Sequence, residues 1–140
     1  AFIVYRCNDA IERKVVIREI NDSFSGGQSV HGPIKSCCRT GGRTWDSSIV
    51  ASLFFSDRAD LIRGRRVIEL GSGAGLFGTL LTCLHGLSFE SLTLTDYNPR
   101  VLEQCKTNIQ QIQGVSGFPS TETVNIEHLD WSDFLHMDNG

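Results

Sequence analysis

From Arg66 onward the apolar residues alternate between short continuous runs and stripes of helical period. Arg66-Val67-Ile68-Glu69-Leu70 is a short apolar run closed by Gly71-Ser72-Gly73-Ala74-Gly75, which predicts a strand ending in a tight turn. Leu76, Leu80, Leu81 and Leu84 then recur at the spacing of one helix face. Ser91-Leu92-Thr93-Leu94-Thr95 predicts a second strand ending at Asp96, and Asn98-Pro99 reads as an N-cap followed by proline at the first helical position. The helix opened there carries Val101, Leu102, Cys105, Ile109 and Ile112 on one stripe. A third strand is predicted around Thr121 to Ile126, ahead of Leu129-Asp130-Trp131. Strand, helix, strand, helix, strand predicts an α/β fold, the βαβαβ half of a Rossmann-like doubly wound parallel sheet.

Upstream the texture differs. Lys14 to Ile20 is β-branched and partly alternating, which predicts a strand. Residues 21–43, with Gly26-Gly27, Pro33 and Gly41-Gly42, predict loops. Ile49, Val50, Leu53 and Phe54 then give an amphipathic helix whose N-cap is expected at Thr44 or Asp46. The chain thus divides into a β and loop extension, 1–43, and a regular α/β part, 44–140.

Composition narrows the class. At 140 residues and 40% hydrophobic, one domain with a core is expected. No run of about 18 apolar residues occurs, so no membrane partner is expected. The start lacks a basic region, a long apolar stretch and a cleavage site, so no signal peptide is expected. It also lacks an initiator Met, which suggests a chain cut from something longer. The net charge of −3 hides an asymmetry. Eleven Lys/Arg against seven Asp/Glu give +4 up to Arg66, and two against nine give −7 beyond it. The one dense basic group, Arg63, Arg65 and Arg66, is too short for a nucleic-acid footprint. Five cysteines (Cys7, Cys37, Cys38, Cys83 and Cys105) are odd in number and lack a CxxC spacing. That argues against disulfides and zinc and for reduced thiols in a cytoplasmic or nuclear protein. His31, His85, His128 and His136 are scattered, and no metal site is expected.

Candidate chemistry sits where strands end, because ligands of doubly wound sheets lie beyond their carboxyl ends. Glu69-x-Gly71-x-Gly73-x-Gly75 lets the backbone approach a ligand closely and opens a helix N-terminus. Asp96 can accept both hydroxyls of a ribose, and Trp131 can lie against an adenine face. Each also has a plainer role: Trp45 as a helix staple, Trp131 as a core-edge aromatic, Asp96 as a charge at a helix start. Leu76 is too bulky for a dinucleotide fingerprint, and no Gly-Lys-Ser/Thr phosphate loop is present.

The glycine run, Asp96-x-Asn98-Pro99 and Asp130-Trp131, in that order, resemble the motifs of class I S-adenosylmethionine-dependent methyltransferases. Thr44-Trp45-Asp46-Ser47-Ser48-Ile49-Val50, Leu94-Thr95-Asp96-Tyr97-Asn98 and Leu129-Asp130-Trp131 are similar to one branch of them. It is the protein-lysine methyltransferases related to those of valosin-containing protein and elongation factor 2. The resemblance covers about residues 44–131 and implies S-adenosyl-L-methionine as cofactor. It implies that Trp45, Gly71, Asp96 and Trp131 contact the cofactor, that Gly73 and Gly75 shape the loop around its methionine part, and that Glu69 steadies that loop or meets the amino group. It also implies a protein partner offering a lysine, such as a chaperone, an ATPase or a translation factor. The family's Asp-x-x-Tyr motif has no counterpart before Gly140. The chain is therefore expected to be the cofactor-binding half of the domain without the substrate half, and no catalytic base is assigned. A methyltransferase for small molecules or other protein side chains, and a non-catalytic binding module, remain as alternatives.

Overall fold

The computed structural model describes residues 2–6, 12–20, 38–85, 89–112 and 122–134. Much of the expected 21–43 loop, the start of the predicted third strand at Thr121, and Cys7, Cys37, His31 and His136 lie outside them. Strands β1 (Phe2–Arg6) and β2 (Glu12–Val16) pair as an antiparallel hairpin. A short helix, α1 (Cys38–Gly41), precedes α2 (Asp46–Asp57). Then follow β3 (Arg66–Leu70), α3 (Leu76–His85), β4 (Ser91–Asp96), α4 (Pro99–Gln110) and β5 (Val124–His128). A 3-10 turn, Trp131–Phe134, follows β5. Strands β3, β4 and β5 form a parallel sheet in that order, as the alternating pattern requires.

Register explains which face is covered. Val67, Leu92 and Val124 share one rung, and Glu69, Leu94 and Ile126 another. Leu92 and Leu94 are buried with Leu81 of α3 and with Cys105 and Ile109 of α4. Both helices therefore lie on the same side of the sheet. On the opposite side Ile68 and Leu70 stay 58% and 56% exposed. Among the described residues the sheet is wound in one direction only.

The N-terminal extension is welded to this body. Val15 and Ile17 are buried with Ala74, Leu76, Leu80, Cys83 and Ile112. The strand predicted at Lys14–Ile20 is displaced: pairing with β1 ends at Val16, and 17–20 runs on as irregular chain over the core. Cys83 and Cys105 are buried, as apolar positions of helices demand. Asn98 caps α4 by accepting the Arg100 N–H at 3.0 Å, with Pro99 at the first helical position. The N-cap of α2 is Trp45, between the two residues expected, and its side chain makes no cap bond.

Candidate functional site

The carboxyl ends of β3, β4 and β5 are laced together by their own backbone. Ser72 N–H donates to Thr95 O at 2.7 Å, and Leu129 N–H donates to Asp96 O at 3.1 Å. Asp96 is buried at their meeting point. Its Oδ2 accepts the Gly73 N–H at 3.1 Å and its Oδ1 accepts the Asn98 N–H at 3.0 Å. Each oxygen retains a lone pair for a further donor.

A cavity of about 460 Å³ opens here. Trp45, Gly71, Gly73, Asp96 and Trp131 all line it, so five of the seven residues singled out in the sequence converge on one space. Both indoles are largely exposed, Trp45 at 56% and Trp131 at 61%. The structure thus corrects the core-edge reading of Trp131: its ring stands over Gly71, where an added Cβ would lie 3.9 Å from Cζ2. The Trp45 indole N–H donates to Thr40 O at 3.1 Å.

Glu69 and Gly75 do not line the cavity. Gly75 closes the turn beneath it at φ +80°, and a Cβ there would fall 2.5 Å from Cys105 Sγ. Glu69 sits on the helix-covered side of β3, where the Gly78 N–H of the first turn of α3 is directed at its carboxyl. The geometry matches a carboxyl group that accepts an otherwise unpaired N–H of a helix's first turn. Burial pushes this carboxyl up to about 8, against which the Gly78 bond acts in part. Its Oε2 is inaccessible and without a hydrogen-bond partner among the described residues.

Sequence reasoning missed the wall opposite the glycine loop. Gly41 packs so closely that a Cβ on Gly73 (φ +56°) would lie 2.8 Å from Gly41 O. Gly41, Arg43, Thr44, Ser72 and Tyr97 also line the cavity. In the sequence the Gly41-Gly42 pair reads only as a loop marker, and nothing local signals that Gly41 meets Gly73.

Residues 35–139 match the lysine methyltransferase family. The chain belongs to that family. Membership implies a methyl-donor cofactor of the S-adenosylmethionine type, and the chain's residues fit one. The glycine loop leaves room for close backbone approach, the buried Ser72 Oγ beside the cavity has no nitrogen or oxygen partner among the described residues, and Asp96 offers acceptors at its floor.

Among relatives, the chain is 33% identical over 59% of its length to calmodulin-lysine N-methyltransferase of Arabidopsis thaliana, covering 26% of that protein. It is 29% identical over 69% of its length to protein-lysine N-methyltransferase EFM3 of Chaetomium thermophilum, covering 27%. It is 30% identical over 66% to protein N-lysine methyltransferase METTL21A of Danio rerio, covering 39%. The matched stretch thus spans about a quarter of the first two relatives.

Proposed function

We propose that the chain forms the S-adenosyl-L-methionine-binding part of a protein-lysine methyltransferase. The observation that carries this reading is the convergence of two exposed indoles, the glycine loop and buried Asp96 on one cavity at the strand ends. Family membership and the names of the relatives support a protein lysine as acceptor.

Each residue has a distinct task in this reading. Asp96 accepts the ribose hydroxyls while its Gly73 bond holds the glycine loop in place. The indoles of Trp45 and Trp131 supply flat apolar faces, Trp131 for the adenine. Gly71 and Gly73 let the backbone approach the methionine part, and Glu69 and Gly75 fix the loop from beneath. When bound, the cofactor supplies a methyl group already activated on a sulfonium, so the protein's contribution is chiefly proximity and orientation. The substrate class is a translation factor, ATPase, chaperone or similar protein, and the compartment is the cytoplasm or nucleus.

Methyl transfer from labelled cofactor in a lysate tests the proposal. The expected result is label recovered in N-methyl-lysine after acid hydrolysis of protein. Label confined to small molecules, or to other side chains, contradicts it.

A further inference from the structure

Irregular residues 17–20 make more bonds to the site than a connector needs. Thr44 donates to Glu19 Oε1 twice, from its backbone N–H at 2.7 Å and from its hydroxyl at 2.5 Å. One residue on, the Ile20 N–H donates to Gly42 O at 2.9 Å. One residue back, Arg18 is gripped by Asn108 of α4, whose Oδ1 accepts the Arg18 N–H at 3.0 Å and whose Nδ2 donates to Arg18 O at 3.0 Å. The same Nδ2 donates to Ala74 O, inside the glycine loop, at 2.8 Å. Asn108 is 1% exposed, and Ile17 is buried against the same loop.

These bonds connect two walls of the cavity that the sequence keeps apart. On one side are Gly41 to Trp45, on the other the glycine loop, and residues 17–20 tie to both.

We propose that residues 17–20 are a strap that presets the cofactor cavity, with Glu19 as the positioning residue that holds Thr44, and through it the Trp45 indole, against the glycine loop. Asn108 anchors the strap's other side. The assignment rests on the cofactor reading given above, and neither Glu19 nor Asn108 lines the cavity. The two Thr44 donors hold the Glu19 carboxyl below its ordinary range, with Arg43 acting in the same direction. The acceptor is thus charged at neutral pH, which strengthens both bonds. A wall already in place spares the cofactor the ordering cost of assembling it.

The test uses two readouts on the whole chain. In a Trp131→Phe background, Trp45 is the only tryptophan, and its fluorescence anisotropy reports wall mobility without any cofactor. Affinity for S-adenosylhomocysteine is measured separately, with Trp131 retained. Glu19→Ala is expected to lower the Trp45 anisotropy and to weaken binding by about tenfold, as loss of a charge-assisted acceptor predicts. Glu19→Gln is expected to fall between, by about threefold. If Glu19→Ala does not fold, Glu19→Gln and Thr44→Val carry the test.

Unchanged Trp45 anisotropy and affinity in folded Glu19 variants, or a lower melting temperature with neither readout altered, overturns the strap. If the unaltered chain binds no S-adenosylhomocysteine while Glu19→Ala still frees Trp45, the strap stands and the cofactor reading falls.

Discussion

Gly73 and Asp96, 23 residues apart in sequence, are joined by a 3.1 Å bond from the Gly73 backbone N–H to the buried Asp96 Oδ2. One carboxylate thereby fixes the glycine loop after β3 and, through the Asn98 N–H, the turn after β4. The residue proposed to recognise the ribose is also what holds the cavity floor together.

Asp96→Ala leaves two backbone N–H groups without their acceptor, so the cost is structural as well as chemical. Unfolding in urea is expected to show a loss of about 1–3 kcal/mol. Asp96→Asn keeps an acceptor and is expected to lose less stability while still weakening cofactor binding by about tenfold or more.

Gly75 and Cys105 make a second pair whose coupling is measurable. An alanine at Gly75 meets both the +80° φ and the Cys105 sulfur at 2.5 Å. Gly75→Ala is expected to cost about 2–4 kcal/mol. In a Cys105→Ala background the overlap with sulfur is gone and the cost is expected to fall to about 1–2 kcal/mol of backbone strain. Equal costs in both backgrounds would show that the sulfur contact plays no part.

Glu69 gives the fold a pH dependence of defined sign. Its carboxyl titrates at about 8 in the folded chain against an ordinary 4.5. Between these values the native state holds a proton that the unfolded chain has released, so stability falls as pH rises from about 4.5 to about 8. Glu69→Gln is expected to flatten that slope and to be about 1–3 kcal/mol more stable than the unaltered chain at pH 8.5. Parallel stability–pH curves for the two proteins would contradict the assignment.

The open side of the sheet predicts self-association. Ile68 and Leu70 are exposed there, and Val50, Leu53 and Phe54 are exposed on α2. Among the described strands β3 pairs only with β4, leaving a free backbone edge. Sedimentation velocity of the 140-residue chain is expected to show concentration-dependent association, reduced by Ile68→Lys. A monomer across the concentration range contradicts it.

Much of this was legible in the sequence because the signals are local. The strand at Arg66–Leu70, the cap at Asn98-Pro99 and the stripe of α4 are each encoded within a few residues, and the structure places them as expected. The ends of the sheet were less legible. The third strand, expected around Thr121 to Ile126, runs Val124–His128 with Glu122 and Thr123 in a turn ahead of it, and an edge strand with one open face tolerates Glu127 and His128 at its end. The Lys14–Ile20 run mixed two roles, pairing up to Val16 and packing beyond it, since Ile17 is buried without being in a strand. Least legible were Glu19 and Asn108, whose partners lie 25 and 90 residues away. Glu69 reads in the sequence as a carboxylate needing a partner, and the structure directs the Gly78 N–H at the start of α3 at it.

Calorimetric titration with S-adenosylhomocysteine, alongside Asp96→Ala, tests the central claim most directly. The account predicts saturable one-to-one binding by the unaltered chain and its loss in a folded Asp96→Ala. A folded chain that binds nothing, or an Asp96→Ala variant that binds equally well, would contradict it.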